Sequence, residues 1–366
     1  MDGYLGSLHP DFQCQRNLAV VATLVLLILG VAPAFWCLYR IGRMLCYLKR
    51  QQQDQRRLRL IVCRVRRQGQ SVLLTLRTAD SSKLPKALPG QHLLLFCRDK
   101  DGKPVSRAYS LCHDTKQRHY YRLAIKAEPH GRLSAPLVAG VAVGDSIVSS
   151  WPRGHFLLKT NRSPLVLIAA GVGITPMLAM AYRAIRQQRP VTLWYQARTL
   201  NDLYFHRLLR RLPGLDYRPI LSQPAVDWLG ARGRITADNI LAHTQTDSDF
   251  YCCASASMTD QLTQALRQQG KQLHYELFSA PASAESFTIT MGTISADSAG
   301  YASVLDALNQ VGAQIPFDCR GGSCGLCKKR LISGEVKQVL EAATALKSDE
   351  VLTCCIQAKS ALELAI

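Results

Sequence analysis

Acid is scarce in this chain of 366 residues: 26 Asp and Glu stand against 45 Lys and Arg, a formal net charge of +19. The shortage is local. Residues 286–366 hold seven basic and eight acidic residues, so the excess lies upstream, and between Arg40 and Arg67 ten Lys or Arg meet one acid, Asp54. Nucleic acid is one partner for such charge; an anionic membrane surface fits better, because the run directly follows an apolar segment. Also missing is any Ser/His/Asp or H-E-x-x-H arrangement, which leaves nucleophilic and zinc hydrolysis without their residues. No third glycine follows Gly171 and Gly173 at the offset of the Rossmann fingerprint. Thirteen cysteines in so long a chain make no disulfide scaffold; four belong to a C-terminal motif, and most of the rest are scattered singly, as reduced thiols are, which suggests a reducing compartment. A hydrophobic content of 48% argues against disorder, and the length against a single domain.

Charge is absent altogether from Leu18 to Tyr39, 22 residues whose interior reads VVATLVLLILGVAPAFWCL. A helix needs about 20 apolar residues to cross a bilayer, and Trp36 and Tyr39 lie where interfacial anchors lie. The rival is a signal peptide, with Ala32-Pro33-Ala34 as cleavage site. Against it, the run is long, no basic cluster precedes it, and the positive residues follow it. Arg40, Arg43, Lys49, Arg50 and Arg56 then hold the downstream side in the cytoplasm. The expectation is a tail (1–17), one transmembrane helix (18–39) and a basic juxtamembrane segment (40–57) of a single-pass inner-membrane protein, with the remaining domains on the cytoplasmic side.

What is present in strength is Cys319-Arg320-Gly321-Gly322-Ser323-Cys324-Gly325-Leu326-Cys327, answered by Cys354. C-x4-C-x2-C with a distant fourth cysteine is the plant-type [2Fe–2S] ligand spacing. Four thiolates must converge on two irons from a tight loop, and Gly321, Gly322 and Gly325 permit the backbone angles and close approach this needs. A zinc site usually adds a second close pair, which Cys354-Cys355 does not supply. Cys355 remains the alternative fourth ligand.

From about residue 58 to 157, short alternating apolar runs (LRLIVCRV, SVLLTLRT, QHLLLFCR, YYRLAIKA, GDSIVSSW) predict an antiparallel barrel or sandwich. Within it, Arg107-Ala108-Tyr109-Ser110 has chemistry for a flavin: a guanidinium for phosphate, a phenol to lie on the ring and a hydroxyl for a ring nitrogen. Gly131, Arg132, Leu133 and Ser134 can open a helix whose N–H groups bind a pyrophosphate. PGQ, R-x-Y-S, G-x-x-S and G-D…P-x-G-x-F occur here in the order found in the ferredoxin–NADP reductase superfamily, which the chain resembles over nearly everything after residue 58. The resemblance implies a flavin-binding domain at 58–157, and G-x-x-S favours FAD over the FMN of cousins that need no site for an adenylate half. The resemblance places Arg107, Tyr109 and Ser110 on the flavin and Gly131 to Ser134 on its pyrophosphate.

Residues 160–280 switch to strand–helix alternation. Leu165 to Ala170 reads as a parallel strand buried on both faces. It leads into Gly171-Val172-Gly173-Ile174-Thr175-Pro176, an anion cradle at a helix start, with Pro176 suited to the first helical position. A doubly wound α/β domain is expected. The resemblance assigns Gly171, Gly173, Thr175 and Pro176 to NAD(P)H. It sets Cys253 (with Cys252 as the alternative) beside the nicotinamide, although C-A-S stands here for the usual C-G-P. Glu276 and Phe278 fall near the flavin. Arg198 can pair a 2′-phosphate, a pyrophosphate or Asp202, and Arg232 and Arg234 are further candidates; NADH and NADPH are not distinguished.

After a linker at Pro281–Glu285, residues 286–366 resemble a β-grasp ferredoxin, with a strand at Phe287–Thr290 and a helix facing inward through Val304, Leu305, Leu308 and Val311. Cys319, Cys324, Cys327 and Cys354 are then the cluster ligands. The three sites are complementary: NAD(P)H yields electrons in pairs, a [2Fe–2S] cluster accepts one at a time, and a flavin does both. The expected function is a relay from NAD(P)H through FAD to the cluster and on to an external acceptor, with Ser110, Cys253 and Phe278 at the reacting centre. A membrane di-iron desaturase or hydroxylase is the first candidate acceptor, and a soluble oxygenase or hybrid-cluster protein the second. A membrane-tethered redox sensor is the reading from another class; steady NAD(P)H-dependent reduction of cytochrome c or ferricyanide separates the two. The histidines read as ordinary surface or barrel residues.

Overall fold

The computed structural model describes residues 57–98, 102, 104–128, 133–245, 247–278, 280, 282–317, 321–322, 325–340 and 346–366. The expected span at Leu18–Tyr39 lies outside them. No helix among the described residues is long and apolar enough to cross a membrane. Residues 57–366 form one compact unit.

Six strands come first: β1 (Arg57–Gln68), β2 (Ser71–Arg77), β3 (His92–Arg98), β4 (Pro104–Ser110), β5 (Tyr121–Lys126) and, after helix α1 (Ser134–Gly140), β6 (Ser146–Ser150). Their order is β4-β3-β6-β1-β2-β5, with every pairing antiparallel. Alternation does the sorting: Leu60, Val62, Leu74, Leu76, Leu93 and Leu95 point into one core, while the intervening positions face out. The sheet curls until its two edges meet at an isolated Leu111–Leu123 bridge.

Beside that seam His113 is 1% exposed, between Tyr120 and Tyr121. Burial, helped by the Arg122 charge, pushes its pKa down to about 4. The unfolded chain therefore binds a proton that the native state refuses. Stability is full above about pH 6.5, the unfolded value, and declines as pH falls towards 4, by an amount on the order of 3 kcal/mol. Urea unfolding between pH 7 and 4.5 checks this: His113→Asn should flatten the decline, and an equally steep profile would contradict the assignment.

The second sheet consists of β7 (Leu165–Ala170), β8 (Val191–Ala197), β9 (Leu215–Leu221), β10 (Ala231–Arg232), β11 (Asp249–Cys253) and β12 (Leu273–Tyr275). Between them run α2 (Ile174–Arg186), α3 (His206–Leu209), α4 (Ala237–Leu241) and α5 (Ala256–Gln268). All pairings are parallel, in the order β10-β9-β8-β7-β11-β12. The chain winds outward from β7 in one direction, then restarts at β11 in the other. The switch point thus lies between β7 and β11, where open α/β sheets bind ligands. Helix α2 begins at Ile174, so Pro176 is its third residue and not its first, as expected from sequence; the first-turn N–H groups have no intrahelical acceptor, so a proline is tolerated there too.

The last segment has β13 (Thr288–Met291), β14 (Ile294–Asp297), α6 (Val304–Gln310), β15 (Lys328–Ser333), β16 (Val336–Gln338), β17 (Glu350–Leu352), β18 (Ile356–Ala358) and β19 (Leu362–Leu364). Five of the strands form a mixed sheet, β14-β13-β19-β15-β17, and β16 pairs with β18. Ser303 caps α6 by accepting from Asp306 N–H. Val304, Leu305 and Leu308 are buried as expected, but Val311 lies just past the helix end and is 48% exposed.

Candidate active site

The site is a cavity of about 910 Å³ that takes its walls from all three segments. β4 and β5 contribute Arg107, Tyr109, Ser110 and Lys126. The start of α1 adds Leu133 and Ser134, the glycine loop adds Val172, the first turn of α2 adds Thr175, and the stretch after β12 adds Glu276 and Phe278. Gly321 and Cys354 close it from the cysteine-loop side.

Antiparallel pairing of β3 with β4 sets His92 opposite Ser110 and Leu93 opposite Tyr109. The Tyr109 hydroxyl is buried with no hydrogen-bond partner among the described residues, and burial raises its pKa well above the usual phenol range. A buried, unpartnered polar atom on a cavity wall is what a bound polar ligand relieves. Arg107 donates through Nη1 to the Ser106 carbonyl at 2.7 Å. Ser134 accepts from Glu128 N–H at 3.1 Å, which ties the start of α1 to the end of β5. These features fit a flavin nucleotide: an aromatic side chain, a hydroxyl, a guanidinium and room.

At the switch point, β7 and β11 hold the glycine loop against Cys253. A Cβ on Gly173 would fall 2.0 Å from the Cys253 carbonyl oxygen and 3.2 Å from Sγ. Only glycine lets the loop approach this closely. Strand periodicity separates the two cysteines: Cys253 packs with Ala169 and Ile174 on the loop side, whereas Cys252 sits in the core of the other face, its Sγ 3.8 Å from Thr259 Oγ1. Burial, then the Glu276 charge, pushes the Cys253 thiol well above the usual range, so it stays protonated.

Tyr195 went unnoticed in the sequence, where it is one apolar position in VTLWYQAR. Its hydroxyl donates to the Gly171 carbonyl at 2.8 Å and accepts from Tyr204 N–H at 3.1 Å. It is therefore a post that fixes the glycine loop to the turn after β8. Tyr195→Phe should cost about 1 kcal/mol, the net worth of a typical hydrogen bond, because the Tyr204 N–H also reaches the Asp202 carbonyl and the Gly171 carbonyl also accepts from Ile174 N–H. Thermal unfolding and the KM for NAD(P)H are the readouts; a variant with unchanged values in both would contradict the role.

Cys327 and Cys354 are both buried. Thr353 clamps their backbones together, donating to the Cys327 carbonyl through Oγ1 at 3.0 Å and through its N–H at 3.2 Å. Gly322 and Gly325 have φ of +73° and +74°, the left-handed region that turns a loop back on itself. Cys355 is fully buried in the ferredoxin core. Its neighbour Cys354 faces the cavity, with 3.5 Å between the two sulfurs. Cys327, which follows the glycine turn, and Cys354, tied to it through Thr353, fit two ligands of the expected cluster.

The cavity thus brings together Arg107, Tyr109, Ser110, Leu133, Ser134, Thr175, Phe278 and Cys354. Gly171, Gly173, Pro176 and Cys253 are not among the residues that line it. Arg198 is exposed at the carboxyl end of β8; Asp202, its possible partner, is instead engaged by Thr199 at 2.8 Å. Gly131, Arg132, Cys319 and Cys324 lie outside the described residues. The histidines correct an expectation: His92, His155 and His274 line the cavity, and His274 packs on Tyr251 at 5.0 Å. Nothing in the local sequence marked them, because tertiary packing alone gathers them.

Comparison with known proteins agrees with this layout. Three family models match in sequence order: an oxidoreductase FAD-binding domain over residues 67–157, an oxidoreductase NAD-binding domain over 167–264 and a 2Fe-2S iron-sulfur cluster binding domain over 289–359. The phenoxybenzoate dioxygenase subunit beta of Ectopseudomonas oleovorans is 32% identical over 273 residues, 70% of this chain and 82% of its own. The phthalate dioxygenase reductase of Burkholderia cepacia is 28% identical over 270 residues, 70% and 81% of the respective chains. A solved phthalate dioxygenase reductase, described as a modular structure for electron transfer from pyridine nucleotides to [2Fe-2S], superposes with a TM-score of 0.61 at 25% identity. That match covers 86% of this chain and 99% of the other.

Proposed function

The chain belongs to the phthalate dioxygenase reductase type of flavin and [2Fe–2S] oxidoreductases, and from that premise we propose that it is the membrane-anchored reductase of an oxygen-activating partner, a membrane di-iron desaturase or hydroxylase. It moves electrons from NAD(P)H through FAD to the cluster and serves an oxygenase-type system. The observation that carries the proposal is the shared cavity: the flavin motif on β4, the approach to the glycine loop and the cluster ligand Cys354 open onto one space.

When bound, FAD exchanges electrons singly or in pairs and the cluster exchanges one. The protein's part is to bind, orient and exclude water. Arg107 supplies a fixed cation for a phosphate, Tyr109 a buried phenol with hydrogen-bonding capacity to spare, and Ser110 a hydroxyl at the cavity floor. Gly173 keeps the loop tight to β11, so that a dinucleotide's pyrophosphate can meet the start of α2. Cys253, a neutral thiol behind that loop, adds polarisable bulk beside the nicotinamide position and no charge. Phe278, 46% exposed at the cavity rim, is placed to cover a ring. Cys319, Cys324, Cys327 and Cys354 would hold the cluster.

The uncharged run Leu18–Tyr39 supports the anchor, because it keeps the reductase in the plane of a membrane-bound acceptor. Cofactor-loaded full-length protein should resist carbonate extraction from membranes and should support turnover by a co-reconstituted membrane desaturase or hydroxylase, with NADH and NADPH compared in parallel. Release by carbonate would remove the anchor. Turnover only with a soluble oxygenase would remove the membrane acceptor. That second acceptor has its own support: both curated relatives described above bear the names of aromatic-acid dioxygenase components.

A further inference from the structure

Strands β1, β2, β3 and β6 carry seven arginines and no Asp or Glu. Five of the arginines lie on β1 alone, and their spacing follows the pleat. Leu58, Leu60 and Val65 pack inward, while Arg57, Arg59, Arg64 and Arg66 are exposed. The register shift between Val62 and Arg64 keeps the outward set in phase along the strand. Across the pairs, Arg59 faces Val148 of β6 and Ile61 faces both Ser146 of β6 and Arg77 of β2. Arg64 faces Thr75 and Arg66 faces Leu73 of β2, the latter packed against the core of the second segment. The cross-strand partners are thus neutral or basic; the exposed Asp145, just before β6, has its carboxylate engaged by Ala142 N–H at 2.8 Å. Arg59, Arg64 and Arg66 make no salt bridge among the described residues.

The stripe has a fixed place in the barrel. In the order β4-β3-β6-β1-β2-β5, β6 and β1 are the strands farthest from the β4–β5 seam. That seam carries the flavin motif and opens onto the cavity. A surface that covers β1 and β6 leaves the nucleotide and cluster entrances free.

We propose that the outer face of β1, with Arg59, Arg64 and Arg66 at its centre, docks on the anionic phospholipid headgroups of the membrane. The proposal rests on the reading of Leu18–Tyr39 as a membrane anchor. Two observations favour a bilayer over other polyanions. The stripe lies on the strand nearest in sequence to the apolar run, with residues 40–56 between them. Seventeen residues reach at most about 60 Å even when fully extended, so an inserted run holds β1 at a high effective concentration at the lipid surface. Moreover, that connecting segment is itself basic, so the same sign of charge continues from the membrane to the strand.

Arginine labelling tests this on the full-length, cofactor-loaded protein. The chain is placed in nanodiscs of phosphatidylcholine alone or with phosphatidylglycerol, treated with phenylglyoxal, and each arginine's modification rate is read by mass spectrometry. Arg59, Arg64 and Arg66, with Arg77 beside them on β2, should react about fivefold more slowly in the anionic discs, while Arg267 on α5 reacts equally in both. Salt at about 1 M, where the Debye length is about 3 Å, should erase the difference. The combined change Arg59→Gln, Arg64→Gln, Arg66→Gln should abolish the lipid-dependent protection of Arg77 and leave NAD(P)H-dependent ferricyanide reduction unchanged. Equal rates in the two lipids would overturn the docking surface, as would protection by duplex DNA but not by anionic lipid. Failure to enter neutral discs would instead sink the anchor alone, and the labelling contrast on anionic vesicles would still decide the stripe.

Discussion

Alanine at Cys354 is expected to abolish the [2Fe–2S] centre, and alanine at the adjacent Cys355 to leave it intact. The two residues share a short turn, and their sulfurs lie 3.5 Å apart. Cys354 faces the cavity, whereas Cys355 is fully enclosed in the ferredoxin core. Thr353 ties the backbone of this turn to Cys327, so the first of the two cysteines is the one held against another ligand. Loss of a thiolate ligand should remove the cluster's visible absorption and its reduced-state paramagnetic signal. Cytochrome c reduction should fall by at least about 100-fold, above what the loss of an outer-shell partner costs at a metal site. Ferricyanide, which accepts electrons directly from flavin, should still be reduced. Retention of the cluster in Cys354→Ala together with its loss in Cys355→Ala would reverse the assignment.

The second large effect belongs to Gly173→Ala. The added carbon meets a backbone carbonyl at 2.0 Å, and no rotamer relieves a backbone clash. Either the glycine loop or the end of β11 must move. Overpacking of this kind costs about 1–3 kcal/mol. Expressed in nucleotide binding, that is about a 5- to 150-fold rise in the KM for NAD(P)H. The defect should vanish when flavin is reduced chemically with dithionite, because the path from flavin to cluster does not include this loop. An unchanged KM would show that the loop does not meet the nucleotide.

Much of this arrangement was legible before any coordinates. Period-two alternation marked the barrel strands because each has one face in the core and one in solvent. The continuous apolar run at Leu165–Ala170 marked the central parallel strand because both its faces are covered. The cysteine spacing and R-x-Y-S were legible because they are local in the chain. What the sequence could not give arises from long-range packing. The choice between Cys252 and Cys253 needed the faces of β11, one turned to α5 and the other to the glycine loop. Tyr195 needed the turn that carries Tyr204 beside it. His92, His155 and His274 come from three separated stretches and meet only around the cavity. Val311 followed the helical pattern one residue too far, because α6 stops at Gln310.

The most direct test of the central claim is anaerobic mixing of the cofactor-loaded protein with NADH or NADPH, followed by freeze-quench paramagnetic resonance within the turnover time. One cavity shared by the flavin motif and Cys354 predicts that the cluster is reduced by one electron per centre as flavin absorbance recovers from bleaching, and only in protein that contains FAD. A flavin that stays fully reduced beside an oxidised cluster for longer than a turnover would contradict it.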